Sequence, residues 1–548
     1  MINRPTINWI IFSGIWIYPF SFIVLNMVRY GLRKVISFGR QVSLPVDMVL
    51  FLLPLVPVII LFIVNSWLLI TNQKTDFSFR GYWKRTETMS REKRKYLHHP
   101  VVSRYLSRDP EGLILGTQKG KYVRIPYDTN NVLHTCIIGT SGSGKSSGPL
   151  ICSLLSNFMK PSPEATMFVL DIKPELAAKT VELYENPYVR IINPTDQNSY
   201  GWNVYYYLND CPSEDELTET FTIIANALIF GDRTSPRLFV DTARNLFIGF
   251  MIYHFYTGFS FTEAIREVLK QDIQDHIISI LNDETICPKE SNLYAILNPY
   301  KDIAGNAFDN AKMYLQTPLK VFLQQELKYM FDSNPRKASP LDLEQQISIF
   351  LSFPEASLAK YQGIFNLMVS QTLYYLQRRS EYAGHIIHVI IDEFARIGRL
   401  DILQSLGTLR SRKVAITLAL QDLSQLRIAY SPDEAASIFN LCEVICILAC
   451  HDPETCKVIT DWAGTYREPM VSYSHEFGRI ASRQQTSYQY RRVIDMADLM
   501  TLRSKRELIV FIEGQYYRFK KIFYKDDPVL GKRYREIAAT NGIIEYSD

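Results

Sequence analysis

The sequence predicts an α/β protein: a doubly wound, mostly parallel sheet with an inserted all-α domain, preceded by two transmembrane helices. Three observations carry this. Apolar, strand-like runs at 132–138, 165–170, 347–351, 385–391 and 414–420 are continuous, as in strands buried on both faces. Stretches of helical spacing separate them, and strands alternating with helices build parallel sheets. Two uncharged runs, 7–28 and 48–71, each reach the length a bilayer requires, about 20 residues.

The membrane runs come first in the chain. Pro19, Pro54 and Pro57 lie within them, which membrane helices tolerate. The following stretch carries Lys74, Arg80, Lys84, Arg85, Arg91, Lys93, Arg94 and Lys95, and positive flanks favour the cytoplasmic side. The expectation is therefore a multi-pass membrane protein with its N-terminus and the bulk of its chain in the cytoplasm. Arg29, Arg33, Lys34 and Arg40 in the short connecting loop pull the other way.

A chain of 548 residues exceeds one core. The expected division is a two-helix anchor (1–71) and a basic linker leading into the nucleotide domain (72–130). The nucleotide domain itself follows in two pieces (131–210 and 345–548), split by an all-α insert (211–344). A formal charge of +4 is too small to diagnose nucleic-acid binding. The eight cysteines contain no CxxC pair, which points to buried thiols in a reducing compartment. Cys442, Cys446 and Cys450 fall in and around a strand-like run whose successive residues face opposite ways, unlike a zinc knuckle.

The strand-like run at 132–138 enters Gly139-Thr140-Ser141-Gly142-Ser143-Gly144-Lys145-Ser146-Ser147, a complete G-x-x-x-x-G-K-[ST] pattern between a strand and a helix. Its glycines let backbone N–H groups curl around phosphate oxygens. Lys145 would reach the terminal phosphates, and the Ser146 hydroxyl would hold Mg²⁺. A nucleoside triphosphate is the implied ligand.

The run 385–391 ends in Asp392-Glu393. Ligands bind at the carboxyl ends of such strands, so Asp392 is expected to hold Mg²⁺ with Ser146, and Glu393 to activate water. Gln421 ends the next run and would sense the γ-phosphate. Arg410, just before that run, could reach a neighbouring subunit's site; such a finger is worth roughly 10³- to 10⁵-fold in rate. Arg410, Arg412 and Lys413 read equally as turn charges or DNA contacts.

In the insert, Ser213 with Glu216 and Ser260 with Glu263 are capping boxes that open helices. Residues 465–490 are polar and read as an exposed hairpin or loop. Residues 507–524, with a turn at Gly514, read as a closing hairpin, and the tail beyond Asp526 as peripheral.

The ordered set resembles the type IV coupling proteins of bacterial conjugation, TraG/TraD-like membrane ATPases. The matching pieces are the two apolar runs, Gly139 to Ser146, Asp171-Ile-Lys173-Pro-Glu175, Asn193-Pro194, Trp202-Asn203, Asp392-Glu393, Arg410 and Gln421. Pro174 and Pro149 are departures from the usual pattern. The resemblance implies a homo-hexameric, DNA-dependent ATPase using ATP and Mg²⁺, set in the bacterial inner membrane with its catalytic domain in the cytoplasm. It would recruit a relaxase–DNA complex (the relaxosome) and deliver single- or double-stranded DNA to type IV secretion channel components. With no extended tail after the last hairpin, cargo reading would fall to the insert or to partner proteins.

Two alternatives stand beside it: a nucleotide-switched membrane receptor for DNA–protein cargo without motor activity, and an FtsK-like DNA motor. The latter predicts a C-terminal DNA-reading domain. An ABC transporter is excluded, since no LSGGQ-like signature lies between the phosphate loop and Asp392.

Overall fold

The computed structural model describes residues 103–543 apart from 161–162, 209–210, 232–235, 304–305 and 475–482, together with Asn26 and Val28. Its strands in chain order are β1 (Leu106–Ser107), β2 (Leu113–Gln118), β3 (Lys121–Ile125), β4 (Thr135–Ile138), β5 (Ala165–Asp171), β6 (Val189–Ile192), β7 (Gly201–Trp202) and β8 (Lys337–Ala338). They continue with β9 (Ser348–Ser352), β10 (Ile386–Ile391), β11 (Val414–Leu420), β12 (Val444–Ile447), β13 (Thr465–Ser474), β14 (Arg483–Arg492), β15 (Glu507–Ile512) and β16 (Gln515–Lys520).

A 12-stranded sheet runs in the order β1-β3-β2-β16-β15-β12-β4-β11-β10-β5-β9-β6. From β12 to β6 all neighbours are parallel. From β12 outward to β1 they are antiparallel. The sheet is therefore mixed, with a larger antiparallel wing than the mostly parallel expectation. Two hairpins build that wing, turning at Gly120 and Gly514, whose positive φ of 76° and 71° suits residues without a Cβ. This large mixed sheet with helical insertions matches a RecA-like core.

The continuous apolar runs behave as their composition requires. Every residue of β4, β5, β9, β10, β11 and β12 is buried. The cysteines Cys136, Cys442, Cys446, Cys450 and Cys456 are buried free thiols in and beside these strands.

Between β7 and β8 the chain is helical, with long helices at Glu214–Leu228, Arg237–Tyr256 and Asn306–Leu319. Both expected capping boxes form, at Ser213 and Ser260. The parallel pairing of β7 with β8 pins the entry and exit of this segment side by side. Trp202 on β7 is fully buried and its indole N–H donates to Gln371 Oε1 at 2.7 Å.

Residues 466–491 belong to a separate compact unit. There β13 and β14 form the expected hairpin, with the Arg467 guanidinium 3.9 Å from the Tyr488 ring centroid and Arg491 paired with Glu468.

Two expectations are corrected. The tail after Asp526 is not peripheral: helix Pro528–Thr540 buries Leu530, Tyr534 and Ile537 and is capped by Asp527. The multi-pass inner-membrane localisation is also overturned, since among the described residues no helix is long and apolar enough to cross a membrane. The longest of them begin with or contain charges, such as Arg237, Asp241 and Arg244, or Glu355 and Lys360. The runs 7–28 and 48–71 lie outside the described residues, Asn26 and Val28 apart.

Candidate nucleotide-phosphate site

Strand order brings the sequence's scattered motifs to one edge. β11 lies between β4 and β10, with Leu420 opposite Ile138 and Leu418 opposite Ile391. The loop after β4, the acidic pair after β10 and Gln421 after β11 therefore emerge together at the carboxyl ends of parallel strands. The Gly139 N–H continues the ladder by donating to Leu420 O at 3.0 Å.

The loop itself is shaped by its glycines. Gly142 and Gly144 sit at φ 69° and 98°, a region that side-chain-bearing residues avoid. A Cβ at Gly139 would lie 2.3 Å from Ser143 Oγ, and one at Gly144 2.7 Å from Phe523 Cε1. Pro149, one of the two departures from the usual pattern, stands beside a kink at Gly148 (φ −100°, ψ −105°), and a regular helix begins only at Ile151.

Lys145 is buried and its ammonium donates to Gly139 O at 2.7 Å. Ser146 Oγ donates to Asp392 Oδ2 at 3.1 Å. Glu393 stands in the left-handed region (φ 50°), with Lys173 Nζ 3.1 Å and Lys145 Nζ 3.8 Å from its Oε1. Gln421 donates to Glu393 Oε2 at 3.2 Å and accepts from Gln425 at the same distance. Asp171, at the end of β5, accepts from the N–H groups of Glu175, Leu176 and Ala177, which fixes the turn carrying Lys173.

The charges are unequal in standing. Burial and the adjacent Glu393 push Asp392 up to about 6, against the pull of Ser146 and Lys145. Burial works against the Glu393 carboxylate too, but Lys145, Lys173 and Gln421 outweigh it and hold its pKa below the ordinary value. Burial lowers Lys145 despite its acidic neighbours. Asp392 is thus a buried carboxylate short of positive charge, beside a serine hydroxyl. That donor set fits a hard divalent cation. Thr140 Oγ1 and Ser143 Oγ are buried without a hydrogen-bond partner among the described residues, which fits an oxyanion in the loop.

Arg410 is not brought to this edge. It precedes β11, so the length of that strand, roughly 20 Å at 3.3 Å per residue, separates it from Gln421. Its Nε donates to Val132 O at 3.0 Å and its guanidinium pairs with Glu443. There it lines an open cleft of about 840 Å³ with Arg378, Arg412 and Lys413. Of the residues at the site, sequence reasoning assigned no role to Lys173 and Gln425, although each lies within a few positions of a strand end that it did identify.

A family model described as the type IV secretion-system coupling protein DNA-binding domain matches residues 121–520. Comparison with curated proteins finds no match. Among solved structures, the unbound bacterial conjugative coupling protein TrwBdeltaN70 superposes with a TM-score of 0.59 at 16% identity, covering 80% of this chain and 93% of that one. TrwB in complex with the ATP analogue ADPNP gives 0.57 at 15% identity, covering 80% and 94%. TrwB with ADP and Mg²⁺ gives 0.56 at 16% identity, covering 80% and 93%. These likenesses carry the fold; the family model spans most of the chain, and the chain belongs to the type IV secretion-system coupling protein family.

Proposed function

We propose that this chain is an ATP-driven coupling protein that recruits a relaxase–DNA complex and delivers its DNA to a type IV secretion channel, working as a homo-hexamer. The observation that carries the nucleotide reading is the meeting of Ser146 and Asp392, 246 positions apart in sequence, at 3.1 Å. Family membership and the relatives solved with an ATP analogue and with ADP and Mg²⁺ support the rest. On this reading residues 131–210 and 345–548 are the nucleotide domain, and 211–344 an all-α insert that meets the cargo.

Each residue then has a task. The N–H groups of Gly142, Gly144, Lys145, Ser146 and Ser147 and the hydroxyls of Thr140 and Ser143 bind phosphate oxygens. Lys145 exchanges the Gly139 carbonyl for the terminal phosphates. Ser146 and Asp392 would hold Mg²⁺, which supplies charge neutralisation at the phosphates. Glu393, kept ionised by Lys145 and Lys173, orients an attacking water and accepts its proton. Gln421 links that carboxylate to the γ-phosphate position. Arg410, far from its own loop, would serve the site of a neighbouring copy.

ATP hydrolysis by the full chain, with and without single-stranded DNA and across protein concentration, tests this. Stimulation by DNA and a steep concentration dependence are expected. A folded protein with no turnover under any of these conditions overturns the motor.

A further inference from the structure

The phosphate loop has a second wall, built by residues that lie far from it in sequence. Directly after β16, Lys521 is buried and its ammonium donates to Ser143 O at 2.9 Å, a bond spanning 378 positions. Next along, the Ile522 carbonyl crowds Gly148, the Phe523 ring packs on Gly144, and the Tyr524 N–H donates to Ser147 O at 3.2 Å. From the turn before β15, Arg503 lies over the tip of the loop: a Cβ at Gly142 would stand 3.0 Å from its Nη2. These contacts run along the loop from Gly142 to Gly148.

A phosphate loop works only if its N–H groups face the ligand. A trans peptide is planar, so its C=O and N–H point in opposite directions. Whatever holds the Ser143 carbonyl therefore also aims the Gly144 N–H. Gly144 has little intrinsic preference to fix this itself, since a residue without a Cβ samples both signs of φ. A charge-assisted hydrogen bond is about twice as strong as a neutral one, which suits an ammonium to this task.

We propose that Lys521 is a positioning residue of the nucleotide site: by holding the Ser143 carbonyl it turns the Gly144 N–H toward the phosphates. This rests on the nucleotide reading above. Lys521 touches no reacting atom; it acts through the peptide it orients. It has no salt-bridge partner among the described residues, so its charge is not spent on a local carboxylate.

The same geometry makes the contact sensitive to pH. The groups facing Lys521 are the Cys446 thiol on β12, the Arg503 guanidinium and the Ser143 carbonyl. Burial lowers its pKa to about 8, with Cys446 opposing and Arg503 assisting. The ammonium is present below that value and lost above it, so nucleotide affinity should fall as pH rises through it.

Calorimetric titration of the full chain with Mg²⁺ and a non-hydrolysable ATP analogue, from about pH 7 to about pH 9.5, tests this around the Lys521 value. Wild type should lose on the order of 10-fold in affinity across the window, the loss of one charge-assisted hydrogen bond. Lys521→Met should bind about 10-fold more weakly at the low end and be flat in pH. Lys521→Arg, charged throughout, should keep the low-pH affinity and abolish the fall. Lys520→Met, the exposed neighbour, should behave as wild type. If Lys521→Met folds and matches wild type in both affinity and pH profile, the positioning role is overturned while nucleotide binding stands. If it fails to fold, Lys521→Arg decides, because a wild-type fall in affinity there overturns the role equally. A wild type that binds no nucleotide at any pH removes the nucleotide reading itself.

Discussion

Gln421 donates to Glu393 at 3.2 Å, tying the end of β11 to the end of β10. The two strands are adjacent and parallel, which brings the two side chains together; on the proposed function the bond would join the residue that senses a γ-phosphate to the carboxylate that activates water. A phosphate that competes for the Gln421 amide would release one Glu393 oxygen. Binding and activation of water are then linked by a single hydrogen bond.

Glu393→Gln should separate hydrolysis from binding. On the proposed reading it removes the proton acceptor and the ion pair with Lys145, but leaves the Lys145–Gly139 and Ser146–Asp392 hydrogen bonds in place. Loss of a general base costs about 10²- to 10⁴-fold in rate, whereas affinity for Mg²⁺–ATP should hold or rise, because a negative charge near the phosphates is gone. Single-turnover hydrolysis beside equilibrium binding reads the two effects. Equal losses in both would mean that Glu393 serves binding and not chemistry.

Lys145→Ala should abolish tight nucleotide binding without unfolding the protein. The side chain is buried, but among the described residues its only side-chain hydrogen bond is to Gly139 O. A hydrogen bond to a charged group contributes about 1.5–3 kcal/mol, or roughly 10- to 150-fold in affinity. The removed ammonium also leaves Glu393 with Lys173 as its one ion-pair partner among the described residues, so turnover should fall further than binding. Thermal melting without nucleotide should stay within a few degrees of wild type.

Much of this site is legible in the sequence, and the part that is not has a physical explanation. The phosphate loop and Asp392 are local patterns, each following a strand whose unbroken apolar run betrays burial on both faces. Gln421 follows in the same way. Lys521 and Arg503 carry no such mark: strand order alone, with β16 and β15 folding back beside β12, brings them to a loop hundreds of residues away. The place of Arg410 was readable, since a residue just before a parallel strand lies at the edge opposite the residue just after it. The tail helix was readable too, because Leu530, Tyr534 and Ile537 follow the i, i+4, i+7 spacing of one buried face.

Arg410→Ala should leave nucleotide binding by a single protomer intact. Its partner Glu443 is partly exposed and also accepts the His134 backbone N–H, so the carboxylate is not stranded. Exposed ion pairs contribute about 0–1 kcal/mol, so melting should shift little. Hydrolysis should fall by roughly 10³-fold or more if the guanidinium completes a neighbouring site. Mixing this variant with a Glu393→Gln protein should restore part of the activity, because some interfaces then pair an intact Arg410 with an intact Glu393. Failure of every mixing ratio to recover turnover would show that Arg410 does not act between subunits.

Gly144→Ala tests the loop and its second wall together. At φ 98° an alanine is strained by about 1–2 kcal/mol, and its methyl would collide with the Phe523 ring at 2.7 Å. The single variant should therefore melt at lower temperature and bind nucleotide poorly. Adding Phe523→Ala removes the collision but not the backbone strain. The double variant should recover part of the melting temperature, with non-additivity of about 0.5 kcal/mol or more between contacting positions. Nucleotide affinity should recover less, since the peptide between Ser143 and Gly144 remains misdirected. Purely additive effects in melting would show that the Phe523 ring does not bear on the loop.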